Sequence, residues 1–212
     1  MEQTQEFWKM LLGGNSLVPL VDDPNALFVD ANCRFGEYAI ELAREYPHTP
    51  VIGIGREYHS PIGRPINCRL VVENVATGTT FGANSCRFIQ SRDVALTLRR
   101  EQWLPYLSEL YRMLEIGGYL QVLEVSVWRK YAQEQGGGYK SWSERLFPAL
   151  AEIKGVCVVG LETLNQVAAE AGFSEIVPIH IRIPVGQWPN TQLGMSIQGY
   201  YMLNRLLRSK PC

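Results

Sequence analysis

Short apolar runs alternate with segments of helical spacing over most of the 212 residues. The apolar runs are rich in strand-forming residues and end at turns, and five of them stand out: 27–31, 51–55, 68–75, 86–90 and 119–127. Between them lie segments with apolar residues three and four apart, at 37–46 and 103–114. Buried strands that alternate with helices are typical of a parallel sheet with both faces covered. We therefore predict an α/β fold with a central, mainly parallel sheet flanked by helices.

The length fits a single domain over residues 1–212. Gly117 and Gly118 are predicted to end the helix over 103–114. Three parts of the chain are less regular: a helical lead-in over 1–25, a glycine-containing lid or substrate loop over 129–160, and a C-terminal segment over 184–212. In the last of these, the pattern over 197–207 fits either a strand or a helix.

The charge balance excludes whole classes of partner. The 20 Lys and Arg residues against 21 Asp and Glu residues give a net charge of −1, which leaves no electrostatic basis for nucleic-acid binding. No apolar run approaches the roughly 20 residues of a membrane-spanning helix, and the acidic N-terminus is unlike a signal peptide. Five cysteines without a CxxC pair indicate reduced thiols and no metal site. We therefore expect a cytoplasmic protein that binds neither nucleic acid, membrane nor metal.

The loop after the first predicted strand reads Asp30-Ala31-Asn32-Cys33-Arg34-Phe35-Gly36 and leads into a helix. In an open α/β sheet, ligands bind at the carboxyl ends of the strands, close to backbone and a helix N-terminus. Together with further short stretches, this loop resembles motif I of the class I S-adenosylmethionine-dependent methyltransferases, in particular the fungal secondary-metabolism (LaeA-type) branch. Those further stretches are 43–47, 51–54, 67–70, 91–96, 111–118 and 184–189. The resemblance implies a Rossmann-like methyltransferase fold, relative to which the C-terminal segment is shortened.

The same resemblance implies where a cofactor would bind. S-adenosylmethionine would contact Asp30, Asn32, Gly36, Glu73 and Asn74. However, the family has glycines at the positions of Asn32 and Arg34, and an acidic residue that holds the ribose at the position of Gly55. A long charged side chain in the loop and a missing ribose acceptor favour a degenerate site. The expectation is therefore a protein without a cofactor, and the use of S-adenosylmethionine is the alternative.

Polar side chains follow the ends of the predicted strands on the ligand side. Four of them are candidate catalytic residues: Arg34, His59, Arg92 and Asp93. Eight are candidate substrate-binding residues: Asn32, Arg56, Tyr58, Glu73, Asn74, Gln90, Glu124 and Trp128. The Arg34 guanidinium suits a substrate carbonyl or carboxylate, or it fills the cofactor space and pairs with Asp30 or Glu73. His59 is either a general acid–base group or an ordinary loop histidine, and Arg92 with Asp93 fits a structural salt bridge.

Three functions remain open from the sequence. The first is a biosynthetic enzyme of fungal secondary metabolism that has lost methyl transfer and cyclises an apolar polyketide or terpenoid intermediate in a pericyclic, Diels–Alder-type reaction. Such a site would hold a small apolar metabolite against aromatic residues, including Trp128 and Trp142, and polarise its carbonyl. The second is an S-adenosylmethionine-dependent methyltransferase with an atypical cofactor site. The third is a non-catalytic protein partner, and a homodimer through the C-terminal segment is also open.

Overall fold

A computed structural model describes residues 2–57, 63–95, 97–125, 137–155, 161–181 and 202–208 of the chain. Seven strands form one sheet: β1 (Phe28–Asp30), β2 (Val51–Gly55), β3 (Cys68–Val72), β4 (Cys86–Arg92), β5 (Leu114–Val125), β6 (Glu175–Ile181) and β7 (Met202–Arg208). Their order across the sheet is β3-β2-β1-β4-β5-β7-β6. Strands β1 to β5 pair in parallel, whereas β7 is antiparallel to both of its neighbours. The predicted α/β fold with a mainly parallel sheet is therefore confirmed.

Helices cover both faces of this sheet. They are α1 (Glu2–Leu12), α2 (Glu37–Glu45), α3 (Trp103–Met113), α4 (Gly137–Lys154) and α5 (Leu161–Glu170). Successive residues of a strand point to opposite faces, so Phe28 packs with α2 while the adjacent Val29 packs with α3 and α5. Both residues are fully buried, which accounts for the unbroken apolar runs that mark the strands in the sequence.

The end of α3 differs from the sequence prediction. The helix ends at Met113, and Leu114 is already extended, with φ −71° and ψ 132°. Gly117, predicted as a helix terminator, has a φ of 77° inside β5. There the pairing with β4 is irregular, because Cys86 lies opposite Leu114 while Phe88 lies opposite Tyr119. The two glycines therefore serve a bulge in the strand, where one residue takes a left-handed conformation.

The segment over 129–160 also differs from its prediction as a loop. The part over 137–154 is the helix α4, in which Leu146, Leu150 and Ile153 are four and three residues apart. That helical spacing prevails over the glycines, two of which lie in the first turn. The stretch left open at 197–207 contributes the strand β7. Residues 126–136 and 184–201 lie outside the described residues, and the division of the chain into a single domain stays a prediction.

The described part of the chain has neither a membrane-spanning helix nor a cluster of metal ligands. None of its helices is both long and apolar enough to cross a membrane. In those same stretches, no three His, Cys, Asp or Glu side chains come together as a metal site would require. The cytoplasmic location expected from the sequence stays a prediction.

Candidate functional site

The loop after β1 lies at the carboxyl ends of the parallel strands and is held by three polar contacts. The amide of Cys33 donates to the carbonyl of Ile54 in β2 at 2.9 Å, and the amide of Gly36 donates to the carbonyl of Cys33 at 2.7 Å. The Asn32 side-chain amide donates to the carbonyl of Arg92 in β4 at 2.9 Å. Asn32 therefore connects the ends of β1 and β4 at the point where the order of strands reverses.

Two residues of this loop have left-handed backbone. Arg34 has a φ of 48° and Gly36 a φ of 84°. A Cβ atom on Gly36 would lie 2.8 Å from Cδ1 of Leu70, so another residue there would need left-handed backbone and a shift of the Leu70 side chain. Arg34 adopts a conformation that glycine takes at much lower cost. The loop therefore has left-handed backbone at one of the two positions where the resembled family has glycine and this chain does not.

Two cavities flank the loop, and Asn32 lines both. The first encloses about 20 Å³, and we call it the apolar cavity after Ile54, Val75 and Leu98 in its wall. Its lining residues are Ala31, Asn32, Ile54, Gly55, Arg56, Glu73, Asn74, Val75, Val94, Thr97, Leu98 and Tyr106. The second, the charged cavity, encloses about 60 Å³ and is lined by Asn32, Cys33, Arg34, Phe35, Glu37, Arg92 and Asp93. Both lie at the carboxyl ends of the parallel strands, and Asn32 is the lining residue that they share.

Arg34 pairs with Asp93, not with Asp30 or Glu73 as the sequence suggested. Its Nη2 atom is 3.4 Å from the Asp93 carbonyl oxygen and 3.8 Å from the carboxylate oxygen Oδ2. Glu73 instead accepts hydrogen bonds from the amide and hydroxyl of Thr80, at 3.0 and 2.6 Å. Asp30 is buried under the loop. The partner of Arg34 therefore comes from the end of β4, to which the Asn32 side chain also connects the loop.

Arg92 and Asp93 each contact the N-terminal helix, and the predicted salt bridge between them is replaced by these contacts. The Arg92 guanidinium donates to Oε1 of Gln5 at 2.6 Å and lies 5.1 Å from the ring centroid of Tyr38. Asp93 accepts a hydrogen bond from the indole of Trp8 at 3.3 Å. Gln5 and Trp8 were missed by the sequence analysis. Their signal was the amphipathic start of the chain, which does not by itself name its partner.

Burial raises the pKa of two carboxyl groups near the loop, Asp30 and Asp93. For Asp30, burial raises the pKa to about 6, and the positive charge of Arg92 opposes this rise. The pKa of Asp93 is also raised by burial, with Arg92 and Arg34 opposing. The charge of these carboxyls therefore depends on the arginines that line the charged cavity.

Two predicted substrate-binding residues lie in the interior. Glu124 accepts hydrogen bonds from the amides of Val94 and Ala95 at 2.7 and 3.1 Å, so it positions the turn after β4. Burial raises its pKa to about 8. Gln90 is fully buried, and its Oε1 accepts a hydrogen bond from Gln121 at 2.7 Å. Neither lines the two cavities described above.

The remaining predicted residues divide between the apolar cavity and the undescribed stretches. Arg56 and Asn74 line the apolar cavity, and the Asn74 side chain also caps the short helical turn Val75–Thr77. Tyr106, which the sequence analysis missed, lines the same cavity, with its hydroxyl 2.8 Å from that of Ser91. Tyr58, His59 and Trp128 lie outside the described residues.

Sequence comparison connects the chain to fungal secondary metabolism. The secondary metabolism regulator laeA of Aspergillus niger is 22% identical over 192 residues, covering 89% of this chain and 50% of that protein. The methyltransferase pytC of Aspergillus terreus is 26% identical over 178 residues, with coverages of 82% and 53%. The chain thus spans about half the length of these curated relatives. No family model matches the chain.

Solved structures with the same fold are methyltransferases. The geranyl diphosphate C-methyltransferase of Streptomyces coelicolor superposes with a TM-score of 0.65 at 15% identity, covering 98% of this chain and 79% of that one. The phosphoethanolamine N-methyltransferase 2 of Haemonchus contortus gives a TM-score of 0.64 at 13% identity, with coverages of 99% and 53%. The first is a complex with S-adenosylhomocysteine and the second a complex with S-adenosylmethionine.

These complexes contradict the expectation of a protein without a cofactor. That expectation weighed the side chains at positions 32, 34 and 55, whereas the backbone of the loop and the cavities beside it are what a bound nucleoside would contact. The chain has the Rossmann-like fold of the S-adenosylmethionine-dependent methyltransferases and is a relative of the fungal secondary-metabolism proteins laeA and pytC.

Proposed function

We propose that the chain is an S-adenosylmethionine-dependent methyltransferase of fungal secondary metabolism with an atypical cofactor site. The observation that carries this proposal is the loop over 31–36, which keeps left-handed backbone at Arg34 and Gly36 between two adjoining cavities. Cyclisation of an apolar intermediate, the first hypothesis from the sequence, assumed a cleft free of cofactor. Methyl transfer replaces it, and an apolar metabolite remains the proposed substrate.

We place the adenosine group at the apolar cavity. Its polar lining includes the Glu73 carboxylate, at the end of β3, and the Asn74 side chain, which can fix the orientation of the base. Ile54, Val75 and Leu98 are only 1%, 3% and 2% exposed, so the base would pack against them once the cavity widens.

The ribose contact differs from the one that the resemblance implied. A Cβ atom on Gly55 would lie 3.2 Å from Sγ of Cys33, so the cysteine takes up space beside this position. Gly55 offers no side-chain acceptor, and Glu73 on the neighbouring strand is the acidic group left to accept a hydroxyl hydrogen bond. We expect weaker ribose binding than an aspartate at position 55 would give, because charge-assisted hydrogen bonds are the stronger ones.

When bound, S-adenosylmethionine supplies an electrophilic methyl group. The residues of this chain would hold the cofactor and orient the acceptor, a contribution that can be large because it removes the entropy cost of bringing two reactants together. Asn32 lines both cavities and fixes the loop to β4, so it sets where the two halves of the cofactor meet.

Calorimetric titration with S-adenosylhomocysteine and S-adenosylmethionine tests this proposal. We expect dissociation constants in the micromolar range. Thr97→Trp places a large side chain at the exposed rim of the apolar cavity and should weaken binding at least tenfold. Ile66→Trp is the matched control, because Ile66 is fully exposed at the opposite end of β3.

Two outcomes would contradict the proposal. A folded protein that binds neither compound at millimolar concentration would exclude methyl transfer and favour a non-catalytic protein partner. Equal binding by the wild type and the Thr97→Trp variant would mean that the ligand lies outside the apolar cavity.

A further inference from the structure

The charged cavity contains groups of both signs at short distance. The Arg34 guanidinium is 3.8 Å from the Asp93 carboxylate, and its side chain is 52% exposed, against 18% for Asp93. The hydrogen bond to the Asp93 carbonyl, at 3.4 Å, uses one of the five N–H groups of the guanidinium. Both distances are long for a charge-assisted contact. Arg34 therefore keeps donors for an anion, and Asp93 keeps acceptor capacity for a cation.

An amino acid group presents the complementary pair of charges. Its carboxylate and its ammonium are attached to one carbon atom, so a site for both must offer a donor fork and a carboxylate a few ångströms apart. A guanidinium binds a carboxylate through two parallel hydrogen bonds. The spacing of Arg34 and Asp93 meets this requirement.

The relative position of the two cavities indicates how a ligand would lie across them. Asn32 lines both, so a molecule with its nucleoside in the apolar cavity would extend past Asn32 into the charged cavity. Position 34 has left-handed backbone, and its arginine side chain lines the charged cavity. A glycine at this position would offer the ligand no side chain.

We propose that Arg34 binds the carboxylate of the cofactor's amino acid end and that Asp93 binds its ammonium. This inference rests on the proposed function and deepens it. It also gives a role to the residue that departs most from the glycine-rich pattern. If Arg34 instead occupied the space of the ligand, its removal would tighten binding, so the two interpretations predict changes of opposite sign.

The test compares ligands that differ only at the amino acid end. S-adenosylhomocysteine carries both charged groups, decarboxylated S-adenosylhomocysteine keeps the amine alone, and 5′-methylthioadenosine has neither; all three are neutral thioethers. We expect Arg34→Ala to weaken binding of S-adenosylhomocysteine roughly 10- to 100-fold, as for the loss of a charged hydrogen bond. Binding of the other two ligands should stay within twofold of the wild type.

Further variants keep the result interpretable. Arg34→Gly suits the left-handed backbone and should lose the same affinity as Arg34→Ala, which separates the lost guanidinium from any misfolding. Asparagine tolerates the φ of 55° at position 93, so Asp93→Asn should keep the local backbone. It should weaken the binding of both ligands that carry an amine. Arg69→Ala removes an exposed positive charge from the other end of β3 and should change none of the three constants.

The outcomes separate this inference from the proposed function. If the wild type binds 5′-methylthioadenosine and S-adenosylhomocysteine, and Arg34→Ala binds the latter as tightly or more tightly, the inference is wrong and the proposed function stands. If the wild type binds none of the ligands, both are wrong. A loss in Arg34→Ala that is equal for all three ligands also overturns the inference, because the effect would then not depend on the carboxylate.

Discussion

The left-handed backbone of Arg34 destabilises the fold by more than its ion pair with Asp93 stabilises it. A non-glycine residue in left-handed backbone costs about 1–2 kcal/mol, whereas an exposed ion pair such as Arg34–Asp93 contributes about 0–1 kcal/mol. We therefore expect Arg34→Gly to raise the free energy of unfolding by about 1 kcal/mol, which corresponds to roughly 2–4 °C in Tm. Arg34→Ala keeps the backbone cost and should show no such gain by thermal denaturation. A lower Tm for Arg34→Gly would mean that the contact with Asp93 outweighs the backbone cost.

Gly36 shows the opposite case, in which glycine is indispensable. Gly36→Ala would combine a φ of 84° with a Cβ atom 2.8 Å from the Leu70 side chain. The backbone cost is about 1–2 kcal/mol and the overpacking about 1–3 kcal/mol, so we expect a loss of about 2–5 kcal/mol in chemical denaturation. Gly82→Ala is the control, because its nearest contact would be an ordinary 3.8 Å. Similar losses for the two variants would contradict this explanation.

At the scale of elements, α1 is attached to the sheet mainly through Trp8. The indole is 2% exposed, packs with Leu123 of β5 and donates to Asp93. The ion pair of Lys9 with Glu41 lies at the surface and contributes little. We expect Trp8→Ala to cost about 3–5 kcal/mol of unfolding free energy. Met10→Ala, on the exposed side of the same helix, should cost less than about 1 kcal/mol.

The unfolding free energy should depend on pH through Glu124, which connects β5 to the turn after β4. Burial raises the folded-state pKa of Glu124 to about 8, above its ordinary value of 4.5. The folded protein therefore binds a proton more tightly than the unfolded chain does, and this contribution is complete below pH 4.5 and is lost as the pH rises through about 8. Between pH 7 and pH 8 we expect the unfolding free energy of the wild type to fall, by at most about 1.4 kcal/mol per pH unit.

The control for this pH dependence is Glu124→Gln, which removes the titrating group but keeps one acceptor. Its absolute stability will differ, since one of the amides of Val94 and Ala95 loses its partner. The comparison is therefore between slopes. Equal slopes of unfolding free energy against pH in the two proteins would show that Glu124 does not titrate in this range.

The elements differ in how far the sequence could predict them. Strands β1 to β4 were identified by their apolar runs, although only β1, β2 and β4 are buried and β3 is a partly exposed edge strand. The beginning of β5 was missed because a glycine pair after a helix has the same local appearance as a helix terminator and as a strand bulge. The helix α4 was missed because its glycines were given more weight than the spacing of Leu146 and Leu150. In each case the choice depends on pairing with distant residues, which local pattern does not contain.

The same limit applies to the candidate site. Asn32, Arg34 and Glu73 could be placed near the cleft because the carboxyl ends of parallel strands meet at one edge of the sheet. The partner of Arg34 and the contact between Trp8 and Asp93 could not, because the latter joins residues 85 positions apart. Such contacts follow from the packing of α1 against the sheet, and no motif in either segment predicts them.

For the molecule as a whole, the candidate site connects distant parts of the chain. The walls of the apolar cavity come from the ends of β1, β2 and β3, from the turn after β4 and from α3. A ligand there contacts segments that separate on unfolding, so its binding free energy adds to the stability of the fold. Thermal denaturation is therefore a measure of occupancy that needs no knowledge of the methyl acceptor.

We expect S-adenosylhomocysteine at 100 times its dissociation constant to add about 2.7 kcal/mol, which raises Tm by roughly 5–11 °C for a chain of this length. The shift should grow with the logarithm of ligand concentration, as mass action requires for one site that exists only in the folded state. Thr97→Trp, at the rim of the apolar cavity, should gain at most about 1.4 kcal/mol at that concentration, because tenfold weaker binding halves the stabilisation, while Ile66→Trp should shift as the wild type does. A Tm that rises equally in both variants would mean that the stabilising ligand binds away from the carboxyl ends of the sheet.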